Sequence, residues 1–70
     1  MDVKIEYKLW EYRTSKGISS RKLAELSGIS KSTINNIENN RYDPTIRTLC
    51  MLAKALDTTP ENLYSYKFIP

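Results

Sequence analysis

The stretch SSRKLAELSGISKSTINNIEN, residues 19–39, decides the fold. Each half opens on a serine, Ser19 or Ser30, followed by apolar residues at helical spacing, and Gly28 separates the halves. A serine at the N-cap accepts a hydrogen bond from an early helical N–H, and glycine admits the left-handed conformation of a sharp turn. The spacing predicts a helix over about 20–27, with Leu23, Ala24 and Leu26 inward, then a turn at Ser27-Gly28-Ile29. A second helix is predicted over about 31–39, with Thr33, Ile34 and Ile37 as its apolar stripe. Its other face is Lys31, Ser32, Asn35, Asn36 and Asn39. Short amide and hydroxyl groups add little to helix propensity, so that polar face calls for a functional reason.

Outward from this unit, Gly17 stops a first helix read over about Ile5–Lys16, with Ile5, Leu9 and Tyr12 at helical spacing. Asn39 to Pro44 reads as a loop, and Thr45 caps a fourth helix in which Ile46, Leu49, Leu52, Ala53 and Leu56 recur on one side. Thr59-Pro60-Glu61 starts a short fifth helix anchored by Leu63, since proline in the first turn loses no needed hydrogen bond. At both ends the pattern changes to alternation: Val3, Ile5 and Tyr7, then Tyr64, Tyr66 and Phe68. Either segment can be read as a short strand, in which case the first helix begins later. Trp10 falls outside the Leu9/Tyr12 stripe and reads as an edge-of-core residue, and Cys50 as a small packed hydrophobe.

Composition narrows the function classes. Seventy residues predict one domain, and a chain of this size buries only about 60% of its unfolded surface, leaving no room for a deep cleft. There is no histidine and one cysteine, so the common zinc spacings, an acyl-transfer triad and an internal disulfide are all excluded. No enzyme activity, cofactor or metal is expected. The lack of disulfides suits a reducing cytoplasm, and no apolar run approaches the roughly 20 residues that span a bilayer. Net charge is +3, concentrated in the middle. From Arg13 to Arg41, six cations (Arg13, Lys16, Arg21, Lys22, Lys31, Arg41) face two anions (Glu25, Glu38), while the remainder is −1. A basic middle suits a polyanion, and an ordinary solvated surface is the alternative.

Two short helices joined by such a turn lie at a steep angle, so the second can protrude. The major groove of B-DNA, about 12 Å wide, admits one helix, and lysine, serine and asparagine carry donors and acceptors suited to base edges. Lys31, Ser32, Asn35 and Asn36 are the expected base readers.

Residues 18–63, ISSRKLAELSGISKSTINNIENNRYDPTIRTLCMLAKALDTTPENL, resemble the Cro and phage-repressor type of helix-turn-helix protein, the XRE family. The resemblance runs from Leu9 to Leu63 and rests on Leu23-Ala24, Gly28, Ser30, Ile34, Ile37-Glu38, Pro44 and Leu52 to Leu56. It implies a five-helix, lambda-repressor-like, all-α domain over 1–70 with its core in 9–63, and the terminal alternation allows a short β pairing of the two ends. It places Lys31, Ser32 and Asn36 among base readers. Ser19 and Ser20, Asn39, Arg41 and the backbone near Thr45 fall where family members contact phosphate; Arg21 and Tyr42 beside them are further donors. Arg13 and Glu38 match an ion pair that joins the first helix to the recognition helix. Ser20 stands where the family often carries a longer glutamine, and Asn40 where glycine is common.

The function implied is sequence-specific binding of double-stranded DNA by a homodimeric transcriptional regulator, a repressor in the simplest mechanism, at an inverted-repeat operator. No small-molecule ligand and no membrane are expected as partners. An antitoxin-like or anti-repressor protein, whose main ligand is another protein, is the alternative, with Trp10 and the aromatic tail as its surface. That tail (Tyr64, Tyr66, Phe68, Ile69) is the expected dimer contact, pairing with the Asp2–Glu6 segment.

Overall fold

A computed structural model describes residues 1–70. Strand β1 (Asp2–Tyr7) leads into four helices: α1 (Leu9–Ser15), α2 (Ser20–Ser27), α3 (Lys31–Glu38) and α4 (Ile46–Ala55). A single 3-10 turn (Pro60–Leu63) follows, and β2 (Tyr64–Ile69) returns to pair with β1. The expected five helices are therefore four, and the first begins at Leu9 rather than near Ile5. Four residues are too few for an α-helix at Pro60–Leu63, and the chain is extended again at Tyr64, where it joins β1. No helix is long and apolar enough to cross a membrane.

Local chemistry sets the helix boundaries. Ser19 Oγ accepts from the Lys22 N–H at 3.0 Å, Ser30 Oγ from Thr33 at 3.1 Å, and Thr45 Oγ1 from Thr48 at 3.1 Å. Each cap satisfies one of the donors that a helix start leaves free. Gly28, at φ 76°, ends α2 by donating to the Ala24 carbonyl, and Ser27 Oγ then accepts from Ile29 N–H at 3.1 Å. The turn into α3 is thus fixed by one left-handed residue and one buried hydroxyl.

The core is Leu9, Leu23, Ile34, Ile37, Leu49, Leu52, Ala53, Leu56 and Leu63, with Tyr7, Tyr12, Ile18 and Tyr64 packed around it. Every helix contributes to it; α3 contributes Ile34 and Ile37, one turn apart, while Thr33 of its expected stripe is half-buried, outside the core, and accepts a hydrogen bond from the Ser30 hydroxyl. Four expectations about apolar residues are corrected. Leu26 is 51% and Ile46 71% exposed, because each sits at the edge of its helix's inward arc, and Cys50 is exposed rather than packed. Trp10 is 54% exposed on the outer side of α1, so it is not an edge-of-core residue.

The strands are antiparallel, with Asp2 opposite Ile69 and Tyr7 opposite Tyr64. Lys8 N–H donates to the Leu63 carbonyl at 2.8 Å, so the helical body serves as the connection of this two-stranded ribbon. Directly opposed residues share a face and successive residues alternate. Val3/Phe68, Ile5/Tyr66 and Tyr7/Tyr64 therefore form one face, and Asp2/Ile69, Lys4/Lys67 and Glu6/Ser65 the other. The ribbon projects from the body, giving extents of 39 × 21 × 20 Å.

Candidate nucleic-acid interface

The helix α3 is anchored by Ile34 and Ile37, both fully buried. At about 100° per residue, Ser32 and Asn36 lie roughly opposite Ile34 on the helix surface, with Asn35 and Asn39 on the same flank. Lys31 and Ser32 are exposed, and Asn35 and Asn36 are half-buried. None of the four side chains makes a hydrogen bond within the protein, so their polar groups are free for a ligand. By contrast, Asn39 Nδ2 donates to the Asn35 carbonyl at 2.8 Å, which commits one of its two amide hydrogens to closing the helix.

The end of α3 orients the loop that follows. Asn40 adopts φ 58°. Its N–H donates to the Ile37 carbonyl at 3.1 Å, and the Arg41 N–H to the Asn36 carbonyl at 2.8 Å. This is the Schellman closure usually made with glycine, here made with asparagine, which tolerates the left-handed region. Arg41 and Tyr42 emerge from it exposed. The remaining expected phosphate contacts lie at helix starts: Ser19, Ser20 and Arg21 at α2, and Thr45 at α4. Ser20 is half-buried; Ser19, Arg21 and Thr45 are exposed. The Ser19 and Thr45 hydroxyls serve as caps, leaving the backbone N–H groups of Ser20, Arg21, Ile46 and Arg47 directed out of the helix starts.

Behind this surface, Arg13 on α1 holds Glu38 on α3. Arg13 Nε donates to Glu38 Oε2 at 2.8 Å and Nη2 to Oε1 at 3.0 Å, while Nη1 donates to the Ile18 carbonyl at 3.0 Å. The side chains are only 13% and 8% exposed. The hydrogen bonds to Glu38 raise the guanidinium pKa further, against the opposing effect of burial, so the pair is permanently ionised on the arginine side. A fork-to-fork pair of this kind fixes orientation as well as distance, and here it ties α3 to the first helix.

A second tether has no sequence signal. Tyr7 Oη on β1 donates to Asp43 Oδ1 at 2.7 Å, across 36 positions, and so pins the loop after α3 to the base of the ribbon. Burial, then the hydrogen bond and the Asp43 charge, push the Tyr7 phenol up to about 12 from 10.0. Between those values the native state retains a proton that the unfolded chain has lost, so this stabilisation is complete below pH 10 and is lost as pH rises towards 12. Urea unfolding midpoints are expected to fall more steeply over that interval for the parent than for Tyr7→Phe; equal slopes refute the tether's contribution.

The ribbon residues stand apart from this surface. Tyr64 is half-buried against the core, Tyr66 and Phe68 are exposed and in edge-to-face contact at 5.7 Å between centroids, and Ile69 lies on the opposite face beside Asp2. The expected dimer residues Tyr64, Tyr66, Phe68 and Ile69 are thus split between two faces by the strand alternation.

Comparison with known proteins places this geometry. The family described as Helix-turn-helix, HTH_3, matches residues 11–63. The control protein C.SmaI of Serratia marcescens is 35% identical over 65 residues, covering 90% of this chain and 77% of that protein. The HTH-type transcriptional regulator PuuR of Escherichia coli (strain K12) is 38% identical over 58 residues, 83% of this chain but 31% of PuuR. The crystal structure of the restriction-modification controller protein C.AhdI from Aeromonas hydrophila superposes with a TM-score of 0.74 at 37% identity, covering 77% of this chain and 82% of that one.

Proposed function

We propose, from the premise that the chain belongs to the HTH_3 helix-turn-helix family of DNA-binding regulators, that it represses transcription as a homodimer bound to an inverted-repeat operator. As a member of that family it is a DNA-binding regulator and not an enzyme. The observation that carries the finer reading is the division of α3: Ile34 and Ile37 are fully buried, while Lys31, Ser32, Asn35 and Asn36 keep their side chains unbonded on the outer flank. Lysine can donate to guanine O6 and N7, and asparagine can pair with adenine N6 and N7. One such helix reads only a few base pairs. Two copies on a two-fold axis read half-sites about 34 Å apart, which is one helical turn.

In this reading Ser19, Ser20, Arg21, Asn39, Arg41, Tyr42 and Thr45 meet the backbone, through side chains or the helix-start N–H groups beside them. These interactions fix register without reading sequence. Asn36→Ala is expected to cost about 1–3 kcal/mol on the selected operator and to relax preference at one base pair of each half-site. Arg41→Ala instead weakens specific and random DNA alike, and the salt slope falls by about one unit for each phosphate charge left unneutralised. Titrations of both variants on the operator, selected from random duplexes, and on a scrambled duplex at several salt concentrations test the assignment. Equal losses for Asn36→Ala on both duplexes would refute base reading by that side chain.

A further inference from the structure

We infer that a second copy of this chain docks on the uncharged face of the terminal ribbon, together with the groove this face shares with the start of α4. The inference rests on the homodimeric reading above and specifies its surface.

The ribbon sorts its residues by chemistry. All its charged side chains, Asp2, Lys4, Glu6 and Lys67, fall on one face. The other carries Val3, Ile5, Tyr66 and Phe68, then Tyr7 and Tyr64 where it meets the body. Val3 is 41%, Tyr66 60% and Phe68 63% exposed, so the part of the apolar face beyond the body has nothing over it. At its base lies a groove of about 220 Å³ lined by Ile5, Tyr7, Pro44, Ile46, Leu49 and Tyr64, with no charged residue. Its outer wall is Ile46, 71% exposed on α4.

A two-stranded ribbon is marginal in water unless one face is covered. The occupant must be apolar and free of charge opposite the patch. A second copy of the same face meets both conditions, and a two-fold axis brings each patch onto its own image. The charged face is left in water, so docking desolvates no ionised group. The exposed parts of Val3, Tyr66, Phe68 and Ile46 with the groove walls offer roughly 500 Å² per copy, or about 1,000 Å² for the pair. That reaches the lower bound for a specific interface, and the patch on each copy falls in the roughly 300–600 Å² range of a monomer's largest apolar patch, which is often functional. The ribbon lies outside the segment matched by the family, residues 11–63.

Sedimentation equilibrium of the full chain over a wide concentration range tests the inference. The parent is expected to dimerise with little dependence on salt, as an uncharged interface requires. Phe68→Glu is expected to raise the dimer dissociation constant at least tenfold. Ile69→Lys, on the opposite face of the same strand and across from Asp2, should change it less than threefold. Far-UV circular dichroism confirms that both variants keep their helices. As a second measurement, Phe68→Cys in a Cys50→Ser background should form an intermolecular disulfide far faster than Ile69→Cys in the same background.

A dimeric parent whose Phe68→Glu variant remains equally dimeric overturns the inference and leaves the homodimeric reading intact. Equal effects at Phe68 and Ile69 also overturn it, pointing to edge pairing of strands. A parent that is monomeric in solution and on its operator refutes the homodimeric reading itself. If a monomeric parent has Phe68 shielded only when a different protein is added, the face belongs to a foreign partner and the inference fails.

Discussion

Glu38→Ala is expected to cost about 3–5 kcal/mol of folding stability, because it leaves the Arg13 guanidinium buried with only the Ile18 carbonyl as partner. For a domain of this length the whole stability is on the order of 4–10 kcal/mol, so the variant is expected to melt at least about 12 °C below the parent. Thermal or urea unfolding followed by circular dichroism measures the loss. The size of the effect reflects an orphaned charge rather than the net worth of the pair. Replacing both partners with apolar groups, Arg13→Met with Glu38→Leu, should therefore recover most of the stability. A loss below about 1 kcal/mol in the single variant would mean that the pair behaves as an exposed one and that α1 does not hold α3 through it.

Ile34→Ala is expected to cost about 2–5 kcal/mol, since the side chain is fully buried on the inward side of α3 and its removal leaves a cavity that a close-packed core fills only in part. Ile34→Val, which deletes one methylene, should cost about 0.5–1.5 kcal/mol and calibrates the site. Operator affinity should then follow the folded fraction, recovering on cooling or in a stabilising osmolyte, because no base-reading side chain is touched. Asn36→Ala should behave oppositely, losing affinity with no change in unfolding midpoint. If Ile34→Ala lost specificity while fully folded, the separation of anchor from reading face would be wrong.

Features encoded within a few residues were legible in the sequence. The caps at Ser19, Ser30 and Thr45 are hydrogen bonds to the third residue onward, and the Gly28 turn needs only its own conformation. Hence α2, α3 and α4 lie where their spacing puts them. Features decided by distant partners were not. Ile5, Leu9 and Tyr12 fit a helical stripe, while Val3, Ile5 and Tyr7 also fit a strand; β2, some sixty residues away, decides in favour of the strand. Periodicity likewise cannot tell an inward residue from one at the edge of the arc, which is why Leu26 and Ile46 read as core and are exposed. The Tyr7–Asp43 bond depends on where the ribbon's base meets the loop after α3, and neither residue type nor spacing announces it. In the candidate interface, the outer flank of α3 was readable from its asparagines, but the commitment of Asn39 to its own helix end was not.

The ribbon's connection has a kinetic consequence. Its strands join residues at opposite ends of the chain, so their pairing bears the closure entropy of the long intervening segment unless the helices have already brought Lys8 to Leu63. Zippering should then proceed from Tyr7/Tyr64 towards Asp2/Ile69, last to form and first to open, with amide exchange fastest at the tip. A molecule whose helices are complete but whose tip is frayed would still present α3, yet would lack Val3 and Phe68 in place. Maturation of the reading head would thereby precede maturation of the self-association surface, and stopped-flow mixing can time the interval between them.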